Sequence, residues 1–359
     1  MISIQTSVSK GWLHNEGGYR FDERYYFDPL YRWEQDRAID RFLAERFPRY
    51  PFQNMESNLV QGEYFSPDQV LVGGIQPNLI VGACLGAEFI FPPDKDSDIV
   101  GRPLAGVRVA TELPAPAALL DHPLVRRLDA QIAAVREARP DLRIIPPFFW
   151  DTSGRATIHG FVTTALKLYG EDVFVRVYDD PEFVAALHVW ITDVYVLLIQ
   201  HFARLGDLPV TSVHIGECSG TMLRPAHYER FVIPYASRIG RELGPVRMHS
   251  CGRSDHLLAA IAKIENLAVL DTGSNTSVAA IRTRFGADFR IDLAPPVELL
   301  LEGAERSGVV AWLDRTLTEN GGGPLHIGFH LEPGYSIENC LSIHDELRLR
   351  GGEISEISI

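Results

Sequence analysis

One pattern restricts the fold of this chain more than any other, and it runs from about residue 140 to the C-terminal helix. Short runs rich in β-branched and aromatic residues alternate there with longer stretches of helical period. The runs fall at 143–150, 211–217, 246–251, 268–271, 289–293 and 325–330. Helical patterns fall at 180–204, 224–243, 254–264, 277–285, 297–302 and 336–349, the first opening on Asp179-Asp180-Pro181, a start signal with proline in the first turn. Strand and helix in strict alternation imply a parallel sheet, because each helix carries the chain back for the next strand. Two earlier segments, 79–82 and 107–110, read as further strands, and 114–138 reads as helical. The total of about eight strands predicts an α/β fold, a (β/α)8 TIM-type barrel. A doubly wound nucleotide-binding sheet is the rival, but no Gly-x-Gly-x-x-Gly follows an early strand.

The first 60 residues differ in character. Tyr19, Phe21, Tyr25, Tyr26, Phe27, Tyr31 and Trp33 are interleaved with Arg20, Arg24, Arg32 and Arg37. Residues 1–60 are therefore expected to form an aromatic and arginine-rich arm packed on the barrel or on a partner subunit, with the barrel over 61–359. The chain carries 47 acidic against 34 basic residues, a net charge of −13. That balance excludes a broad nucleic-acid surface and disfavours adhesion to anionic membranes. Residues 1–18 lack the apolar core of a secretory signal, and no uninterrupted apolar stretch approaches about 18 residues. The cytoplasm is the expected compartment. The four cysteines, Cys84, Cys218, Cys251 and Cys340, lie far apart and are read as free thiols or ligands rather than disulfides.

In parallel barrels the C-terminal ends of the strands face the active site. Here those ends carry Asp151 after Trp150, then Glu217 and Cys218, His249 and Cys251, Asp271, Asp292 and His330. Stopping a strand does not require so many acids, histidines and cysteines. The densest chemistry is Met248-His249-Ser250-Cys251-Gly252. Side chains alternate along a strand, so His249 and Cys251 point to one side and can reach a single ion. Imidazole nitrogen and thiolate sulfur are preferred zinc ligands, and catalytic zinc keeps one position open. Cys340 or His330 is expected to complete the set, with Glu217 and Cys218 as alternatives from the neighbouring strand. Asp151, Asp271 and His330 are expected to handle protons, and Trp150, Glu217 and Asp292 to hold substrate. The competing role for these carboxylates is simple pairing with Arg247 or Arg290. Cys84, in an apolar helix-like context, is read as core.

Several segments resemble the uroporphyrinogen decarboxylase superfamily, and within it the zinc-dependent, corrinoid-linked methyltransferases. Leu168-Tyr169-Gly170-Glu171-Asp172 followed by Tyr178-Asp179-Asp180-Pro181-Glu182 is similar to the family's helix-loop-helix. Leu223-Arg224-Pro225 with Tyr228, Phe231 and Pro234-Tyr235 resembles its S-P-x-x-Y-x-x-F-x-x-P-Y segment, with arginine in place of serine. His249-Ser250-Cys251-Gly252 resembles the H-x-C-G of the methyltransferases, and Gly328-Phe329-His330 through Ile337-Glu338-Asn339 resembles the family's closing motif. The likeness covers roughly residues 75–350. It implies zinc as cofactor, a corrinoid such as methylcobalamin as methyl carrier, and a thiol or other small molecule as acceptor. A small corrinoid protein and a homodimer are the partners it implies. The family's decarboxylases instead use an N-terminal R-Q-A-G-R-Y loop, which Gly18-Tyr19-Arg20 and Asp36-Arg37 do not reproduce. A metal-free lyase acting on a tetrapyrrole or other carboxylic acid is the alternative. In the methyltransferases the third ligand is a cysteine in the segment aligned with 328–330, where this chain has His330 and, later, Cys340.

Overall fold

The computed structural model describes residues 2–54 and 66–354. Its strands, in chain order, are β1 Ile2–Val8, β2 Phe52–Asn54, β3 Gln69–Leu71, β4 Glu88–Ile90, β5 Asp98–Val100, β6 Arg143–Ile145 and β7 Arg155–His159. They continue with β8 Ser212–Gly216, β9 Val246–Ser250, β10 Leu267–Thr272, β11 Arg290–Leu293, β12 Leu325–Leu331 and β13 Glu353–Ile354. The main sheet runs β13-β1-β12-β11-β10-β9-β8-β7, with β2 also paired to β1. Every pairing within it is parallel. From β7 to β12 each strand neighbours the next in sequence, the order of a (β/α)8 wall. Strands β3 and β6 form a separate parallel pair, and β4 and β5 an antiparallel ribbon.

Alternation gives the sheet two unlike faces. Ile4, Val213, Met248, Leu270, Ile291 and Ile327 are all fully buried on the face covered by helices. Thr6 on that face bonds His344 of the helix Ile337–Leu349 at 2.8 Å. The register places Thr157, His214, Arg247, Asp271, Asp292, His326 and Ser3 together on the opposite, concave face. Polar groups dominate it.

The long helix Pro181–Gly206 starts where expected: the Asp180 side chain accepts from the Phe183 amide at 3.2 Å, and proline occupies the first turn. It is the one helix among the described residues long and apolar enough to cross a membrane, and 67% of its apolar window is buried inside the protein. The pattern over 224–243 divides into Pro225–Phe231 and Ile233–Leu243 at Val232. Pro234, with no amide hydrogen, cannot continue the first helix into the second. Two expected strands are corrected. Residues 79–82 lie in the helix Pro77–Cys84, a core helix buried from Pro77 through Ala83, whose apolar run Leu79–Val81 carries no strand or helix period. Residues 107–110 run into a short 3-10 helix, Ala110–Glu112, without a ladder partner.

The segment read as an arm supplies β1 and β2. Strand β1 lies against β12 along its whole length, from Ile2↔Leu325 to Val8↔Leu331. The aromatic residues that follow pack onto the same chain: the Phe21 amide donates to the Pro93 carbonyl at 3.0 Å, and the Ser97 amide to the Tyr26 hydroxyl at 3.1 Å. Arg32, fully buried, donates to the Gly73 carbonyl at 3.1 Å. The expected boundary near residue 60 lies outside the described residues.

Candidate metal centre

Strand β9 reads Val-Arg-Met-His-Ser, and its alternation puts Arg247 and His249 on the concave face while Val246 and Met248 are sealed behind. Cys251 follows the strand's last residue and is exposed. Strand β8 ends at Gly216, which pairs in register with His249. The Glu217 amide then donates to the His249 carbonyl at 2.9 Å, carrying Cys218 alongside Cys251. One ligand atom each from Cys218, His249 and Cys251 lie within 4.8 Å of one another.

The carboxylate of Asp271 accepts from His249 Nδ1 at 2.7 Å. A carboxylate can only accept, so the proton sits on Nδ1 and Nε2 is the nitrogen left to bind. Burial works against the imidazolium, but the Asp271 charge and the hydrogen bonds to Asp271 and Cys251 outweigh it and hold His249 up at about 9. Arg247, also buried, donates to Asp271 at 2.8 Å and to Asp292 at 2.7 Å, and Arg290 donates to Asp292 at 3.0 Å. Burial would raise both carboxyls, yet the Arg247 guanidinium, with His249 beside Asp271 and Arg290 beside Asp292, keeps them below the ordinary carboxylate range. The two cysteines divide one proton. Their mutual hydrogen bond raises the Cys218 thiol and lowers Cys251, whose thiolate His249 also stabilises.

These donors fit a zinc ion. Bonds of about 2.0–2.3 Å in tetrahedral geometry separate neighbouring ligands by roughly 3.3–3.8 Å, inside the spread of the three atoms. Two sulfurs and one oriented imidazole also leave a fourth position on the solvent side, where Cys251 is exposed.

Of the residues expected from sequence, His249, Cys251, Asp271 and Asp292 come together, joined by Cys218. Cys340 does not. It sits fully buried within the helix Ile337–Leu349, where burial pushes its thiol up to about 12. Glu217, 1% exposed, turns away from the site. It accepts from the amides of Val162 at 3.1 Å and Thr163 at 3.0 Å, capping the helix Phe161–Tyr169. Asp151 holds a turn, accepting from the Ser153 amide at 2.9 Å, and Trp150 is buried before β7. His330 lies at the end of β12 and bonds Ser7 of β1 through Nδ1. His214 and His326 went unremarked in the sequence because they stand inside runs that read as strand, where period alone does not say which face is polar. His159 closes β7, Arg155–His159, a strand the sequence reading did not include.

The geometry defines a class: parallel α/β proteins with a thiol–imidazole centre at the C-terminal ends of the strands. The chain belongs to the uroporphyrinogen decarboxylase (URO-D) family, whose model matches residues 78–293. Among solved structures it is similar to a methyltransferase from Methanosarcina mazei, with a TM-score of 0.64 and 15% sequence identity, over 97% of this chain and 92% of that one. That identity shows a shared fold. No curated protein sequence matches.

Proposed function

We propose that the protein is a zinc-dependent methyltransferase that moves a methyl group between a corrinoid and a small thiol. The grouping of Cys218, His249 and Cys251 within 4.8 Å carries this reading. The family match and the fold shared with a methyltransferase support it. These three residues would hold the metal, which when bound keeps a thiol with an ordinary pKa of about 8.5 as its nucleophilic thiolate at neutral pH. Asp271 fixes the His249 tautomer, and Arg247 holds Asp271 in place. The exposed side at Cys251 admits acceptor and methyl carrier. A corrinoid would supply the methyl group to the thiolate sulfur and would keep the electron pair of the carbon–cobalt bond. We place the enzyme in the cytoplasm, with a free corrinoid or a small corrinoid protein as partner and a homodimer as its assembly.

The test is transfer from methylcobalamin to 2-mercaptoethanol, followed by the absorbance of the reduced corrinoid and by detection of the thioether. The expected result is turnover that His249→Ala and Cys251→Ala abolish. Full activity in both variants, or release of carbon dioxide from a carboxylated tetrapyrrole by metal-free protein, would overturn the reading.

A further inference from the structure

His214 stands on the concave face one strand from His249, with ring centroids 5.7 Å apart. Its Nδ1 lies 2.6 Å from Arg247 Nη1. A guanidinium only donates, so Nδ1 must accept and the proton of this imidazole sits on Nε2. That Nε2–H has no partner among the described residues, although His214 is 1% exposed. Its direction is marked by Gly216: a Cβ built there would stand 3.9 Å from His214 Nε2 and 3.7 Å from the Ile158 carbonyl. Gly216 is the register partner of His249. The bare backbone at Gly216 therefore leaves the His214 donor open toward the metal centre. Thr157, opposite His214, and His159, opposite Gly216, add two more buried polar atoms without partners among the described residues, Oγ1 and Nδ1. Buried polar atoms left unpaired are costly, and three of them beside the thiol–imidazole centre favour a ligand that pairs them. The charges around it are already matched, Arg247 and Arg290 against Asp271 and Asp292, and Arg155 of β7 against Asp151 at 4.0 Å.

We infer that His214 is a substrate-binding residue whose Nε2–H donates to an uncharged oxygen, a hydroxyl or carbonyl, carried by the small thiol seated at Cys218, His249 and Cys251. This rests on the metal-centre reading above and adds the substrate class: a thiol with a neutral oxygen a few bonds away. Thr157 and His159 complete the recognition of that oxygen. The charge balance gives an anionic head group no counter-ion of its own.

The experiment uses full-length protein loaded with cobalt(II), titrated with 2-mercaptoethanol or its near-isostere 1-propanethiol, and reads the sulfur-to-cobalt absorption. Wild type is expected to bind 2-mercaptoethanol about tenfold more tightly, the worth of one buried hydrogen bond. Gly216→Ala makes only ordinary contacts, so it should fold, shield Nε2 and abolish the preference. His214→Phe should abolish it as well. Equal binding by wild type, or a preference that survives Gly216→Ala, overturns the role of His214. Protein that takes up no cobalt overturns the metal centre, and with it the seat of the thiol. A separate readout needs no metal: nitrogen–proton correlation spectra of the histidine rings should show His214 as the Nε2–H tautomer. The Nδ1–H tautomer would contradict the inference.

Discussion

At the scale of single residues, Asp271 and Arg247 set the chemistry by setting protons. His249 titrates at about 9 and Cys218 is pushed upward, while Cys251 is held down as thiolate. At pH 7 the metal-free centre therefore holds one proton on His249 to be displaced and one on Cys218. Zinc uptake in weakly buffered solution should release two protons per ion, measured with an indicator dye. Release of none would show that these residues are not the ligands. Asp271→Asn removes the charge that holds His249 and leaves buried Arg247 with one carboxylate instead of two. Zinc affinity is expected to fall about 10–100-fold. Urea unfolding should show a loss of about 3 kcal/mol, since breaking a buried charge pair strands the other partner. An unchanged affinity would mean that Asp271 does not orient the ligand.

At the scale of elements, Glu217 belongs to the helix Phe161–Tyr169 rather than to the substrate. Its neighbour Gly160 permits the approach, for a Cβ there would lie 2.2 Å from Glu217 Oε2. Burial raises the Glu217 carboxyl from 4.5 to about 7, against hydrogen bonds that lower it. The folded state thus binds this proton more tightly than the unfolded state does. Its contribution to stability is complete below about 4.5 and lost as the pH rises through 7. Wild type should therefore lose stability relative to Glu217→Gln across that window, seen in denaturant midpoints, and a constant difference would refute the assignment. The sequence showed Glu217 as a polar strand end, which it is. Period says nothing about which way a residue turns once the strand has stopped, so the capping role was not legible. The pair His249 and Cys251 was legible because the alternation of β9 carries one residue past its end at Ser250. Cys218 was legible only as an alternative ligand, because bringing it beside Cys251 takes register between β8 and β9, a long-range property that no local spacing reports. The proximity of Cys340 to the last motif along the chain likewise carried no information about space.

At the scale of the whole molecule, the β-α rhythm from residue 211 onward marked the strands β8 to β12 of the parallel sheet, since period and turn residues are local. The run at 143–150, by contrast, holds only β6, which pairs with β3 outside that sheet, and β7 was not read. The opening strands were harder. Strand β1 has the sequence Ile-Ser-Ile-Gln-Thr-Ser-Val, in which Ser3, Gln5 and Ser7 line the concave face, and β2 has only three residues. A concave face lined by histidine, arginine and glutamine dilutes the apolar signal on which strand reading depends. With β1 paired along its length to β12, residues 2–8 are part of the wall. Deleting the first eight residues should leave β12 with an unpaired edge, and the product is expected to be insoluble or to lack a cooperative thermal transition. A truncated protein that melts like wild type would show that the segment is dispensable to the sheet.

The most direct measurement is zinc content by elemental analysis of purified wild type, Cys218→Ala and Cys340→Ala. One zinc per chain in wild type and in Cys340→Ala, with loss in Cys218→Ala, is the result expected from a centre built by Cys218, His249 and Cys251. Zinc retained in Cys218→Ala and lost in Cys340→Ala would contradict it.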